Sequence, residues 1–142
     1  MSKIVTYWKS HMGNGFKQEH RRILTKFYLE YNKGKEIDLV KYAGLGEGAN
    51  LYAGEYSNKV FKNTGVFSLL VVATVLAVIY SAPAYVHGLI FILIGYTLWR
   101  MFFNAHGATF AAYMGREIDD DVRLGAPKLK AIRDELEALN DL

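Results

Sequence analysis

The side chains best suited to catalysis or metal binding are few in this chain of 142 residues. It has no cysteine, which excludes thiolate nucleophiles, iron–sulfur ligation and Cys-based zinc sites. Its four histidines are His11, His20, His87 and His106. Haem held by two histidines needs both at one depth, whereas nineteen residues of helix would separate His87 from His106 by about 28 Å. Only a homodimer pairing its two His87 side chains would offer such ligands, so we expect no haem, no metal and no other cofactor.

Two short motifs resemble ligand-binding sequences in composition but not in pattern. Residues 119–121 read Asp-Asp-Asp, but an EF-hand needs alternating acids, a central glycine and a distal glutamate. We expect this run to be a solvated loop. Residues 44–48 read Gly-Leu-Gly-Glu-Gly without the Gly-Lys-Ser/Thr ending of a phosphate loop, and we expect residues 35–56 to be a flexible Gly-rich linker. With no nucleophile and base signature either, the sequence predicts no enzyme, no catalytic residue and no small-molecule substrate.

The elements that position these side chains are dominated by one interval without charge. Between Lys62 and Arg100 there is no Lys, Arg, Asp or Glu. Two apolar runs, 66–82 and 85–103, fill it, and each approaches the roughly 20 residues that a helix needs to cross a bilayer. Pro83 stands between them, where it ends one helix and suits the first turn of the next. Residues 63–104 therefore predict a transmembrane hairpin. A buried soluble hairpin is disfavoured because the rest of the chain is too short to cover it.

Charge predicts the orientation of this hairpin. Residues 1–62 carry eleven Lys and Arg against six acids, and the connecting turn carries no basic residue. The positive-inside rule then places the protein in the cytoplasmic (inner) membrane with two spans and both termini in the cytoplasm. Because the basic arm lies beside a bilayer, its expected ligand is anionic lipid of the inner leaflet, and no nucleic acid.

The basic arm contains a segment with helical periodicity, residues 16–31. Its apolar side chains fall on one face and its basic side chains on the other, which is typical of a helix at a membrane surface or against a partner. The alternative is a core helix of a small N-terminal fold. The predicted membrane-surface contacts are Phe16, Lys17, Arg21, Arg22, Ile23, Lys26, Phe27 and, at the end of the second apolar run, Arg100.

The C-terminal arm, residues 105–142, predicts a cytoplasmic stalk followed by an amphipathic helix at 127–142. Pro127 suits a first helical turn, and four apolar residues then repeat at the spacing of a coiled-coil seam. These predicted docking residues are Leu129, Ile132, Leu136 and Leu139. So short a helix is marginal alone and must dock. A second copy, the chain's own N-terminal helix and another subunit are equally compatible with the pattern.

Small residues recur on the second apolar run and the stalk. Gly88 and Gly95 share one face, and Gly107, Ala111 and Gly115 recur every four residues below them. Small residues at such spacing allow a second helix to approach closely. We therefore expect these five residues to form a helix-packing interface, although alanine is also favoured for helix propensity alone.

Together these patterns predict an all-α membrane protein in which amphipathic N-terminal and C-terminal cytoplasmic helices flank a two-helix hairpin. The expected function is that of a non-catalytic accessory or scaffold subunit in a larger membrane complex of the secretion, conjugation or respiratory type. Its partners would be other subunits of that complex or copies of itself. The alternatives are a holin-like or pilin-like subunit that assembles into a homo-oligomeric pore or filament, and a membrane-shaping hairpin protein.

Overall fold

The computed structural model describes residues 14–32, 34 and 36–140, and this part of the chain is all-helical, as predicted. Its helices are α1 (Asn14–Tyr31), α2 (Leu39–Ile79), α3 (Ala84–Arg123) and α4 (Pro127–Asn140). His11, considered above as a ligand, and the last two residues of the predicted C-terminal helix lie outside the described part. The chain divides into a terminal unit (residues 1–50 and 113–142) and a hairpin unit (residues 51–112).

The structure differs from the sequence prediction at the expected Gly-rich linker. Helix α2 begins at Leu39, where the Asp38 carboxylate accepts from the backbone N–H groups of Val40 and Lys41 at 3.1 and 3.3 Å, and it continues through the glycines without a break. Gly46 is buried, and a Cβ atom there would lie 2.8 Å from Cγ2 of Ile118. The linker prediction was wrong because glycine serves close packing against α3, which outweighs its low helix propensity.

The two helix-breaking turns have the same backbone design. After α2, Ser81 adopts a left-handed conformation (φ 50°) and the Ala82 N–H bonds the Ala77 carbonyl at 2.9 Å. After α3, Gly125 and Ala126 are both left-handed (φ 86° and 60°), and the Ala126 N–H bonds the Asp121 carbonyl at 2.6 Å. In each turn these hydrogen bonds satisfy carbonyl groups at the end of the preceding helix, and a proline follows. The breaks predicted at Pro83 and Pro127 are thereby confirmed.

The predicted stalk is helical and longer than expected, since α3 runs from Ala84 through Arg123 without interruption. Both central helices therefore exceed a bilayer span, because 41 and 40 residues correspond to about 60 Å each.

The terminal unit has a small core of its own. Leu24 of α1, Tyr42 of α2, Ile118 of α3 and Leu129 of α4 are almost fully buried. Burying a side chain of this size contributes about 1.5–3 kcal/mol. Each of the four helices thus contributes at least one fully buried apolar side chain to this core.

The hairpin unit has a thin contact line in place of a core. Gly107 of α3 faces Tyr56 of α2, and a Cβ atom on that glycine would lie 3.3 Å from the ring. Ala77 and Ala111 are its buried apolar residues among those the structure describes, together with the polar side chains of Thr97 and Asn104. Most of the apolar surface of this unit therefore faces outward.

The glycines of α2 provide a test of this packing. Gly46→Ala should lower the stability of the terminal unit by about 1–3 kcal/mol, because the new methyl group meets Ile118. Gly48→Ala is the matched control, since a Cβ atom there meets open space, and should stabilise α2 by up to about 1 kcal/mol. Hydrogen exchange of the α2 amides measures both effects, and a stabilising Gly46→Ala would contradict the close contact.

Candidate functional site

The main candidate site is the outward-facing apolar surface of the hairpin unit. In the most apolar 18-residue window of α2 and of α3, only 6% of residues are buried within the protein. Side chains such as Leu69 and Phe91 are 71% and 77% exposed. Contiguous apolar patches on soluble monomers rarely exceed a few hundred Å². The two helices are long and apolar enough to cross a membrane.

The hydroxyl groups on these helices are compatible with an apolar surrounding. Thr64, Ser68, Thr74 and Thr97 each donate to the carbonyl four residues earlier in their own helix, at 2.8–3.0 Å. An unpaired donor costs several kcal/mol in hydrocarbon, and these bonds remove that cost. Thr74, a mid-span polar group, is thereby satisfied without a partner helix.

Aromatic side chains gather where the charge-free interval ends on α3. The rings of Trp99 and Phe103 stack at 5.8 Å, and Tyr96 lies 6.5 Å from Trp99. The Arg100 guanidinium donates to the Tyr96 hydroxyl at 3.3 Å and lies 5.9 Å from the centre of its ring. Aromatic rings beside a half-buried arginine are typical of the boundary between hydrocarbon and headgroups. The membrane-surface contact expected for Arg100 stays a prediction.

A second candidate lies in the terminal unit, around the buried carboxylate of Asp121. One oxygen accepts from the Tyr42 hydroxyl at 2.6 Å, and the carboxylate also accepts from the backbone N–H groups of Lys128 and Leu129 at 2.9 and 3.3 Å. Those two N–H groups belong to the first turn of α4. The residue before that helix, Ala126, has no side-chain acceptor, so Asp121 of α3 serves as the cap of α4.

The environment of Tyr42 is set by the same interaction. Burial, reinforced by the hydrogen bond to Asp121, raises the pKa of the Tyr42 hydroxyl far above its ordinary value. The phenol therefore remains a proton donor throughout the physiological range. This arrangement joins α2, α3 and α4 and fits a structural role.

The structure corrects the prediction for the acidic run at 119–121. It is helical and belongs to α3. Asp121 is buried, and Asp119 accepts a hydrogen bond from the Asn50 amide at 3.0 Å. The loop prediction was wrong because these carboxylates have donors from other helices, which composition alone does not reveal. In the part of the chain that the structure describes, no group of three or more His, Asp or Glu side chains has the arrangement of a metal site.

The predicted membrane-facing stripe of α1 is also corrected. Phe16 and Phe27 are buried in the terminal unit, where Phe16 stacks on Tyr113 at 5.7 Å and Phe27 lies 5.6 Å from Tyr42. Ile23 is half-buried. The apolar face covers other helices of the unit, which is the core-helix alternative. The basic side chains remain outside: Lys17, Arg21, Arg22 and Lys26 are all exposed.

The predicted docking seam of α4 has an intramolecular partner. Leu129 and Ile132 are buried, Leu136 is half-buried and Leu139 is exposed. Arg21 of α1 pairs with Glu135 of α4, and the Tyr28 hydroxyl lies 3.3 Å from the Glu137 carboxylate. Of the three alternatives, folding back on the chain's own N-terminal helix is the one observed. The buried part of this seam is therefore not open to another subunit.

The predicted helix-packing interface divides into used and unused positions. Gly107 contacts Tyr56, Ala111 is buried, and a Cβ atom on Gly115 would overlap the Asn50 amide. Gly88 and Gly95 meet no atom within 4 Å of a Cβ position. Three of the five small residues thus serve packing within the chain, and the two on the apolar run face outward.

The remaining histidines have different environments. His87 and His106 are half-buried on the same helix, nineteen residues apart. His20 is buried in the terminal unit, with its ring edge-on to Tyr113 at 5.8 Å. Burial lowers its pKa, and Lys128 lowers it further, while Glu117 and Asp121 act in the opposite direction. Among the residues that the structure describes, the Nε2 atom of His20 has no hydrogen-bond partner.

Sequence reasoning missed the pairing of Tyr42 with Asp121. The two residues lie 79 positions apart, and Tyr42 stood in a segment expected to be unstructured. The proline at the start of α4, without a capping residue before it, was the available signal that a cap had to come from elsewhere.

Removing the Tyr42 hydroxyl tests this interaction. Tyr42→Phe should cost about 1.5–3 kcal/mol in the terminal unit, because the buried Asp121 carboxylate loses one of its three donors. Hydrogen exchange at the amides of Lys128 and Leu129 reports the loss locally. Tyr52→Phe, at an exposed phenol of α2, is the control and should change stability by less than about 0.5 kcal/mol. Equal protection in both variants would contradict the capping role.

Comparison with known proteins supplies no further assignment: the chain matches no protein-family model, no curated protein and no solved structure.

Proposed function

We propose that this protein is a small integral membrane subunit that is anchored by its helical hairpin and acts, without catalysis, as an accessory or scaffold within a larger membrane assembly. The observation that carries the anchoring is the exposure of two long apolar helices, since only 6% of their most apolar windows is buried within the chain. A buried core helix of a soluble protein would show the opposite. Lipid is the most economical covering for this surface.

Three further observations support insertion of the hairpin. The interval from Asn63 to Trp99 carries no charge, its threonine and serine hydroxyls bond their own helices, and its aromatic cluster lies at one boundary. Orientation rests on charge alone. Basic residues stand beside the ends of the hairpin and not in its turn, so the proposed membrane is the cytoplasmic one with both termini inside.

The accessory role rests on what the hairpin leaves unoccupied. Gly88 and Gly95 present open space on an apolar face of α3, where a neighbouring transmembrane helix can approach closely. The buried seam of α4 is filled by α1, so we assign neighbour contacts to the hairpin and not to Leu129 or Ile132. A neighbour of a different kind gives an accessory subunit, and a second copy gives the self-assembling alternative.

Insertion and orientation can be tested with single cysteines, because the chain has none of its own. Ala84→Cys at the exposed turn should react with a membrane-impermeant maleimide on intact spheroplasts. Leu139→Cys, at an exposed position of α4, should react only after permeabilisation.

Ile92→Cys supplies the matched internal position, because its side chain is 70% exposed in the protein alone. Lipid should protect this thiol before and after permeabilisation, and detergent denaturation should release it. Labelling of Ile92→Cys in intact membranes would contradict insertion. If Leu139→Cys reacted on intact spheroplasts and Ala84→Cys only after permeabilisation, the orientation would be the reverse of the proposed one.

The neighbour contact can be tested at Gly95. Gly95→Leu should leave insertion unchanged but reduce co-purification of neighbouring chains about tenfold, the effect of losing roughly 1.4 kcal/mol of helix packing. The measurement is the native mass of the particle after mild detergent extraction, with its chains identified by mass spectrometry.

Gly65→Leu is the control, since that glycine also meets open space but lies on α2. Foreign subunits lost from Gly95→Leu alone would support the accessory role. A large particle that contains only copies of this chain would support self-assembly instead. A monomeric particle in the wild type and in both variants would contradict both roles.

A further inference from the structure

The terminal unit contains a groove between α1 and α4 that the proposed anchoring does not use. It encloses about 350 Å³, and its lining residues are Lys17, His20, Arg21, Leu24, Lys128, Ala131, Ile132 and Glu135. Three of these side chains are cationic and one is acidic. The groove thus carries excess positive charge above an apolar floor.

The polar residue at its base is unusual. His20 is 6% exposed, and its buried Nε2 atom has no hydrogen-bond partner in the part of the chain that the structure describes. A buried polar atom without a partner costs about 1–3 kcal/mol, so a water molecule, an ion or a ligand that supplies the missing hydrogen bond is favoured there. Here the atom belongs to a side chain that lines a groove bordered by cations.

From this combination we propose that the groove between α1 and α4 binds a phosphate group, with His20 Nε2 donating to a phosphate oxygen and the side chains of Lys17, Arg21 and Lys128 supplying the charge. Arg21 and Lys128 now pair with carboxylates, Glu135 and Glu117 respectively. Both side chains of the Arg21–Glu135 pair are more than half exposed, so exchanging this carboxylate for a phosphate costs little. The guanidinium of Arg21 also matches phosphate oxygens in geometry.

Protonation of His20 is linked to this binding. The ionisable groups that face its ring are Lys128 of α4 and Tyr113, Glu117 and Asp121 of α3. Burial and Lys128 hold its pKa below the ordinary value. A bound anion favours the charged imidazole, so binding must raise the pKa of His20 and must tighten as the pH falls toward that pKa.

The test uses the full chain in detergent micelles with ¹⁵N-labelled histidine. The His20 side-chain signal is assigned by its loss in His20→Gln. Inorganic phosphate, added against chloride at equal ionic strength, should shift this signal saturably and raise the pKa of His20. A second arm replaces micelles with nanodiscs containing phosphatidic acid, with pure phosphatidylcholine nanodiscs as the reference.

Variants separate a site from general charge. Lys17→Gln should weaken phosphate binding about fivefold, and Glu135→Gln should strengthen it by removing the one acidic lining residue. Lys26→Gln, an exposed cation of α1 outside the groove, should leave affinity unchanged.

The outcomes are distinct. A response to inorganic phosphate identifies a soluble phosphate ligand, and a response confined to phosphatidic acid identifies a lipid headgroup. No response in either arm, or equal affinity in wild type, Lys17→Gln and Lys26→Gln, overturns the proposal. Because the first arm needs no bilayer, its result is independent of whether the hairpin inserts into a membrane.

Discussion

A buried carboxylate is tolerated only where hydrogen-bond donors surround it, and Asp121 meets that requirement with donors from two other helices. The Tyr42 hydroxyl fixes α2 against α3, and the two backbone N–H groups fix the start of α4. Once α4 is placed, its buried Leu129 and Ile132 offer a surface on which the apolar face of α1 is covered. The placement of α2, α3 and α4 in the terminal unit therefore depends on one buried carboxyl side chain that neither helix propensity nor hydrophobic periodicity selects.

The features predicted correctly from sequence are those that depend on short-range sequence patterns. The charge-free interval, the helical period of residues 16–31, and the prolines at 83 and 127 specify helices and breaks through short-range physics. The glycine run at 44–48 failed as a linker signal because Gly46 packs against Ile118, about seventy positions away. From sequence alone, a glycine that interrupts a helix cannot be distinguished from a glycine that allows close helix packing until the facing helix is known.

The candidate contacts show the same division. The sequence predicted amphipathic faces on residues 16–31 and 127–140. Helical periodicity does not identify the element that covers such a face, and in the structure these two helices cover part of one another. The membrane-surface interpretation of Phe16 and Phe27 failed because their rings pack on Tyr113 of α3 and Tyr42 of α2. The acidic run failed because two of its carboxylates, at 119 and 121, find their donors on α2 and α4. By contrast, Gly88 and Gly95 face outward, with no side chain of the described residues close to either.

The pairing of α1 with α4 joins segments from opposite ends of the polypeptide, since Arg21 and Glu135 are 114 residues apart. At roughly 5–20 residues per second, a ribosome completes α4 on the order of 10 s after α1. During that interval the stripe containing Leu24 and Phe27 is synthesised but its α4 partner is not. Both apolar runs of the hairpin leave the ribosome within the same period. The terminal unit is therefore completed after the hairpin. Throughout the synthesis of the hairpin, part of the apolar face of α1 is not yet covered by α4.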